Sequence, residues 1–245
     1  MKVAIMQPYF VPYIGYFQMI HAVDLFVVYD NIEYTKKGWI NRNRILKNGE
    51  PDVISLPLAK GSDYEHVVQR QLADSFHAKD KQKLHGRILE LYRKAPFYNE
   101  TAALLKHVFA SSEPNLFAFI HQSLVALCEH IGISTTIRIS STLDIDHQLR
   151  GEDKVIAICQ AVKATQYINA IGGVELYSFD RFEREGLQLQ FIQSTAKEYL
   201  QNCQAFVPWL SIIDVLMFCG KEQTMHQMND YQLLDRTHFS NASNA

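Results

Sequence analysis

At 245 residues, with 47% apolar and 20% charged side chains, the chain has a soluble globular composition and the length to bury a sizeable core. A formal charge of −2 gives no electrostatic case for nucleic acid or an anionic membrane as a partner. No apolar run approaches the ~18 residues of a transmembrane helix and the N-terminus does not read as a secretory signal, so a cytoplasmic protein without membrane insertion is expected.

The first apolar run, Val3-Ala4-Ile5-Met6, stops on Gln7-Pro8 and predicts a strand, because proline cannot donate to a ladder. Gly15, Phe17, Ile20 and Ala22 then recur at helical spacing, and Leu25-Phe26-Val27-Val28-Tyr29 predicts a second strand ending on Asp30-Asn31. Asn48-Gly49, between the apolar-containing stretches 40–45 and 53–58, is a strong hairpin signal. The run Asn41-Arg42-Asn43-Arg44 in the first arm cannot all face a core, so one face meets water or a ligand.

Helices are predicted over 80–95, with Leu84, Ile88, Leu91 and Tyr92 sharing a face, over 98–110, and over 114–130 with Pro114 in the first turn. Together they form a helical insertion at about 80–131. The helix from Pro114 is apolar enough for a core or for an interface between copies of the chain, and both readings stay open. The α/β pattern resumes with a strand at 136–140, a helix at 152–162, a strand at 166–169, a short helix at 178–185 and a strand at 187–192. A helix at 211–218 stops at Cys219-Gly220. The fold class is therefore α/β, a Rossmann-like parallel sheet flanked by helices, with a β-hairpin and a helical insertion. Residues 1–235 are expected to form one domain and 236–245 a disordered polar tail.

Ligands of open α/β sheets bind outside the carboxyl ends of the strands, and the polar residues gather there. The loop from Gln7 through Tyr9 and Tyr13 to Gly15 and Tyr16 leads into a helix N-terminus, which suits an anion; packing of its aromatics is the competing reading. The second loop carries Asp30, Tyr34, Lys36, Lys37 and Trp39, then Asn41, Arg42 and Arg44. Its four cations, interleaved with aromatic rings, form either an anion-binding wall or a solvated turn. Asn169 with Gly172 and Gly173 makes a third, weaker candidate. Asp214, in an apolar helix, needs a partner; an arginine or Lys36/Lys37 in a structural ion pair is expected.

The ten histidines are scattered without ligand spacing, so no metal site is expected, and the sequence names no cofactor. The four cysteines lack a zinc or redox spacing and read as small buried hydrophobes. No nucleophile elbow and no phosphate-binding P-loop occur.

The opening MQPYFVPYIGYF, followed by YDNIEYTKKGWINRN, closely resembles the WbqC-like family of bacterial proteins. Later stretches fit too: Gly151-Glu152-Asp153, Tyr167-Ile168-Asn169 with Gly172-Gly173, and Phe206-Val207-Pro208 before Leu210-Ser211-Ile212-Ile213-Asp214. The resemblance implies an association with O-antigen and other surface-polysaccharide biosynthesis, and acyl or aminoacyl transfer to an amino sugar, nucleotide-linked. On that reading Lys36, Lys37, Arg42 and Arg44 hold a diphosphate, Trp39 or Tyr34 stacks on a ring, and Asp30 and Lys36 are the candidate catalytic residues. The implied partner is an anionic small molecule of the sugar-nucleotide class. A remoter similarity links the opening unit to nucleotidylyl transferases. Their HxGH motif falls on Tyr13-Ile14-Gly15-Tyr16, with both histidines replaced by tyrosine. A nucleotidylyl transferase and a non-catalytic sugar-nucleotide-binding protein are thus the alternatives.

Overall fold

Val3, Ala4 and Ile5 are buried in strand β1 (Lys2–Met6), which leads through the Pro8–Pro12 loop into helix α1 (Ile14–His21). Strand β2 (Leu25–Val28) is buried at every position, as a parallel strand covered on both faces requires. The chain then leaves the sheet for a hairpin, β3 (Arg42–Lys47) and β4 (Glu50–Ser55). Asn48 and Gly49 turn it with φ of 53° and 83°, the two positive values of a type I′ turn.

A π-helical turn (Phe76–Asp80) runs into α2 (Lys81–Tyr92), followed by α3 (Tyr98–Ala110) and α4 (Leu116–Ile131). Pro114 does not enter the first turn of α4. Asn115 is the N-cap, its side chain accepting from Ala118 N at 3.0 Å, and this capping bond places the proline just before the helix. The computed structural model describes residues 1–62 and 64–240. The remaining elements are β5 (Thr136–Ile139), α5 (Gly151–Ala161), β6 (Gln166–Ala170), α6 (Phe179–Arg184), β7 (Gln188–Ser194), α7 (Ile212–His226), β8 (Tyr231–Leu234) and α8 (Arg236–Ser240). The first helical run of α7 stops at Cys219-Gly220, as expected. Gly220, at φ 68° and ψ 174°, is not helical, and a second helical segment follows the kink to His226. The expected polar tail opens on α8, where Arg236 pairs with Asp180 at 2.6 Å and Glu183 at 3.1 Å; the last five residues, 241–245, lie outside the described residues.

Six strands form one sheet in the order β5-β2-β1-β6-β7-β8. All neighbours pair in parallel except β7 and β8. The chain works outward from β1 through β2 to β5, then crosses back to β6 and outward through β7. The order therefore reverses between β1 and β6, as in a Rossmann-like sheet. Strand alternation divides the core. Ala4, Phe26 and Val28 pack with α1, α4, α7 and the hairpin on one face, whereas Val3, Ile5, Leu25 and Val27 pack with α5 and α6 on the other. The helical insertion adds Leu84, Ile88, Leu105 and Phe119 to the first core. No helix among the described residues is long and apolar enough to cross a membrane. Cys128, Cys159 and Cys219 are buried and unbridged.

Candidate functional site

A cavity of about 450 Å³ opens at the switch point, outside the carboxyl ends of β1, β6 and β7. Tyr9, Tyr13 and Gly15 line it from the loop after β1, Ala170 to Gly172 from the end of β6, and Ile192 to Ser194 from the end of β7. Trp39 and, from β3, Asn43 and Arg44 close one side, and Trp209 overhangs from the loop before α7.

The walls are held by backbone that the sequence would not choose unaided. Val11 sits at φ 39° and Trp209 at φ 60°, left-handed values that cost a non-glycine residue about 1–3 kcal/mol and are least tolerated by a β-branched one. Asn43, 6% exposed, offsets the first: its Nδ2 donates to Phe10 O at 3.0 Å and Val11 O at 2.9 Å. Ser211 Oγ donates to the same Val11 carbonyl at 2.6 Å, and Ser211 N donates to Arg44 O at 2.8 Å. Loop, hairpin and α7 are thereby locked into one frame.

Arg44 is the one charged side chain lining the cavity among the described residues. Arg42 and Arg44 share a face of β3, and their guanidinium groups lie 5.5 and 5.2 Å from the Trp39 ring. Their duties differ. Arg42 Nε donates to Gly38 O at 2.8 Å and Nη2 to Lys37 O at 2.6 Å, so it braces the loop that carries Trp39. Arg44 Nη2 has a long contact to Trp209 O, 3.4 Å, and its buried Nε finds no hydrogen-bond partner among the described residues. A buried guanidinium N–H without an acceptor is costly. Burial pushes the Tyr9 and Tyr13 phenols up from their ordinary value, so they face the cavity as neutral donors. Tyr13 packs edge-on against Trp209 with centroids 5.8 Å apart.

A family model described as the WbqC-like protein family matches residues 7–226, a span that holds every residue lining the cavity. The chain belongs to the WbqC-like protein family. It is also similar to the uncharacterized protein Rv1507c of Mycobacterium tuberculosis, with 29% identity over 224 residues, 90% of this chain and 95% of that protein. No solved structure matches it.

Six of the residues singled out in this WbqC-like sequence come together at the cavity: Tyr9, Tyr13, Gly15, Trp39, Arg44 and Gly172. Gly15 is tightly placed, since a Cβ there would run into the Tyr13 ring and lie 2.5 Å from Ser194 Oγ. The others stand elsewhere. Tyr16 is buried in the core and donates its hydroxyl to Gln7 O at 2.8 Å. Tyr34 donates to Asn41 Oδ1 at 2.8 Å, and Asn41 Nδ2 to Leu56 O at 2.8 Å, so both brace the hairpin. Lys36 and Lys37 are exposed. Asn169 is buried and packs against Gly173, where its Nδ2 occupies the space a Cβ would need.

Asp30 is fully buried away from the cavity. Its Oδ1 accepts from Ser140 Oγ at 2.8 Å and Ser141 N at 2.9 Å, and its Oδ2 from Ser141 Oγ at 2.6 Å, so the carboxylate fastens the end of β5 to the end of β2. Among the described residues Asp214 has no cationic partner. Tyr92 Oη donates to its Oδ1 at 2.7 Å, and Tyr199 Oη and Gln201 Nε2 to its Oδ2 at 2.6 and 2.7 Å. Neutral donors suffice there because phenols and amides satisfy a buried carboxyl without a second charge to desolvate.

Sequence reasoning missed Ser194 and Trp209 as lining residues and named Asn43 only as part of the polar run 41–44. Ser194 follows the rule already applied to β1 and β6, since it ends β7. Asn43 sat inside the Asn-Arg-Asn-Arg run, but which side of β3 faces inward is not readable from four polar residues. Trp209 carried no positional signal, because its place depends on a seventeen-residue loop, 195–211, without regular structure.

Proposed function

We propose that this WbqC-like protein binds a nucleotide-linked sugar, or a ligand of that anionic, ring-bearing class, in the switch-point cavity, and acts on it as a transferase of surface-polysaccharide biosynthesis. The observation that carries the reading is Arg44: a guanidinium with an unpaired buried N–H, set among Trp39, Trp209 and Tyr13 at the carboxyl ends of the central strands. The guanidinium suits a phosphate, and the rings suit the flat face of a base or the apolar face of a sugar. A volume of about 450 Å³ falls in the ordinary range for small-molecule sites. Lys37 and Arg42 support the ligand indirectly, through the loop that holds Trp39.

Acyl or aminoacyl transfer to an amino sugar, the activity the family resemblance implies, needs the amine held against an activated carbonyl. Rigid aromatic walls around a fixed cation provide that alignment. Among the described residues the cavity lining contains no carboxylate and no histidine, so the amine's proton must pass to the donor's leaving group or to solvent. The same feature favours a second reading, recognition without catalysis. Nucleotidylyl transfer is less well supported: of the two tyrosines in place of histidines, only Tyr13 faces the cavity, and a neutral phenol is a weak support for a triphosphate.

The test is incubation of the protein with nucleotide-linked amino sugars and acyl or aminoacyl donors, followed by mass spectrometry. A product of increased mass that disappears with Arg44→Ala supports the transferase. Binding without a product supports recognition alone, and absence of any binding overturns both.

A further inference from the structure

On the other side of β1 from the switch point, the segment after β2 and the start of α5 enclose a separate cavity of about 330 Å³. Tyr29 and Asn31 bound it after β2, His147 and Arg150 from the loop before α5, and Lys154 from the first turn of α5. None of these residues lines the Arg44 cavity.

Lys154 is the unusual member. It is only 3% exposed, yet its ammonium forms no ion pair among the described residues. It contacts two backbone carbonyls at long range, Asn31 O at 3.3 Å and His147 O at 3.4 Å, and lies 5.1 Å from the Tyr29 ring centroid. An ammonium has three N–H donors, so this one keeps capacity for a further acceptor. Burying a cation without a counter-charge is expensive, and burial does lower the Lys154 pKa. Asp30 and Asp146 oppose that shift through their fields, but neither pairs with the ammonium: the Asp30 oxygens accept from Ser140 and Ser141, and Asp146 Oδ1 accepts from Gln148 N.

The remaining wall is preorganised in the same sense. His147 Nε2 faces Leu143 O at 3.1 Å and must donate to it, so Nδ1 accepts from Asn31 Nδ2 at 2.9 Å and the ring is fixed in one tautomer. Helix α5 starts at Gly151 without a side-chain cap, and Arg150 is exposed beside it. The unpaired N–H groups of a first helical turn thus add to the two cations. Against them stand Glu33 in the lining, Asp146 through its field on Lys154, and Glu152 and Asp153 in the same first turn, where Glu152 accepts from Ser178 N and Asp153 pairs with Arg181.

We propose that this cavity is a second binding site, for the phosphate or carboxylate group of a small metabolite, with the Lys154 ammonium as its counter-charge. Arg150 and the first turn of α5 complete the donor set. A space of about 330 Å³ lies at the low end for ligand sites and selects a metabolite smaller than a sugar nucleotide. The site is independent of the function proposed for the Arg44 cavity and stands if that reading fails.

The experiment is a titration of the full chain with inorganic phosphate and, separately, with succinate, followed by amide NMR. At least one probe should saturate and shift the Gly151 to Lys154 amides. Its affinity should fall by more than about ten-fold in Lys154→Met, which keeps the apolar stem, and by about three-fold in the exposed variant Arg150→Ala. Arg44→Ala should leave it unchanged. Response to phosphate alone assigns a phosphate ligand, and response to succinate alone a carboxylate. No saturation by either probe, or equal affinity in wild type and Arg150→Ala with a folded Lys154→Met also unaffected, overturns the proposal. Should Lys154→Met fail to fold, Arg150→Ala decides alone.

Discussion

The side chain of Asn43 ties the loop after β1 to the hairpin at the switch-point cavity. Its amide is the donor for two buried carbonyls, Phe10 O and Val11 O, at the turn where Val11 is strained. Asn43→Ala leaves both without that donor. The expected loss is about 2–4 kcal/mol, more than an ordinary surface truncation, read from the urea midpoint at constant slope. Asp214 makes a pH-dependent contribution of opposite kind to most carboxylates. Burial raises its pKa, against the hydrogen bonds from Tyr199, Tyr92 and Gln201. A folded pKa above the unfolded one means that the folded chain binds this proton more readily. The contribution is therefore fully present below the unfolded value, about 4, and is lost as pH rises through the folded pKa. The wild-type unfolding free energy should accordingly decline, relative to Asp214→Asn, as pH is raised from about 4 toward neutrality. A parallel pair of stability-versus-pH curves would show that Asp214 titrates as it does in the unfolded chain.

Elements whose shape follows from local chemistry are the ones legible in the sequence. Val3 to Met6 before Pro8, the Asn48-Gly49 turn and the 98–110 helix are all set by residues inside or beside them. Elements that depend on distant packing are not. Strand β8 is four residues long and exists by pairing with β7, and the second helical segment of α7 follows a kink at Gly220 against which Phe97 of the insertion packs. The two glycines make contrasting predictions. At Gly49 an added Cβ meets only Cys203 at 3.5 Å, so Gly49→Ala pays the backbone strain of φ 83° alone, about 1–2 kcal/mol. At Gly220 the Cβ would lie 2.5 Å from the Phe97 ring in addition to a positive φ, so Gly220→Ala should cost more than about 3 kcal/mol. Thermal melts of the two variants rank them, and equal losses would remove the special role given to the α7 break.

At the level of the whole molecule, the strand order is what turns scattered motifs into a site. The aromatic loop after β1 was recognisable from its residues, and so was its place at a strand end. The cationic wall was not, because Lys36, Lys37, Arg42 and Arg44 look alike in sequence, and only the hairpin's packing sends Arg44 inward while Arg42 braces a loop. Asp30 reads as a site acid from its position at a strand end, yet the Ser140-Ser141 turn brought beside it by β5 absorbs its hydrogen-bonding capacity. The same sheet carries the Lys154 cavity beyond β1, so two cationic sites face one edge of the fold. The chain contains two tryptophans, and both line the Arg44 cavity. Intrinsic fluorescence therefore reports on that cavity directly. Titration of the wild-type protein with a panel of nucleotides and sugar nucleotides should give a saturable change in tryptophan emission for at least one ligand, and Arg44→Ala should abolish it. A saturable change that persists unaltered in Arg44→Ala, or no change with any phosphate-bearing ligand, would contradict the account.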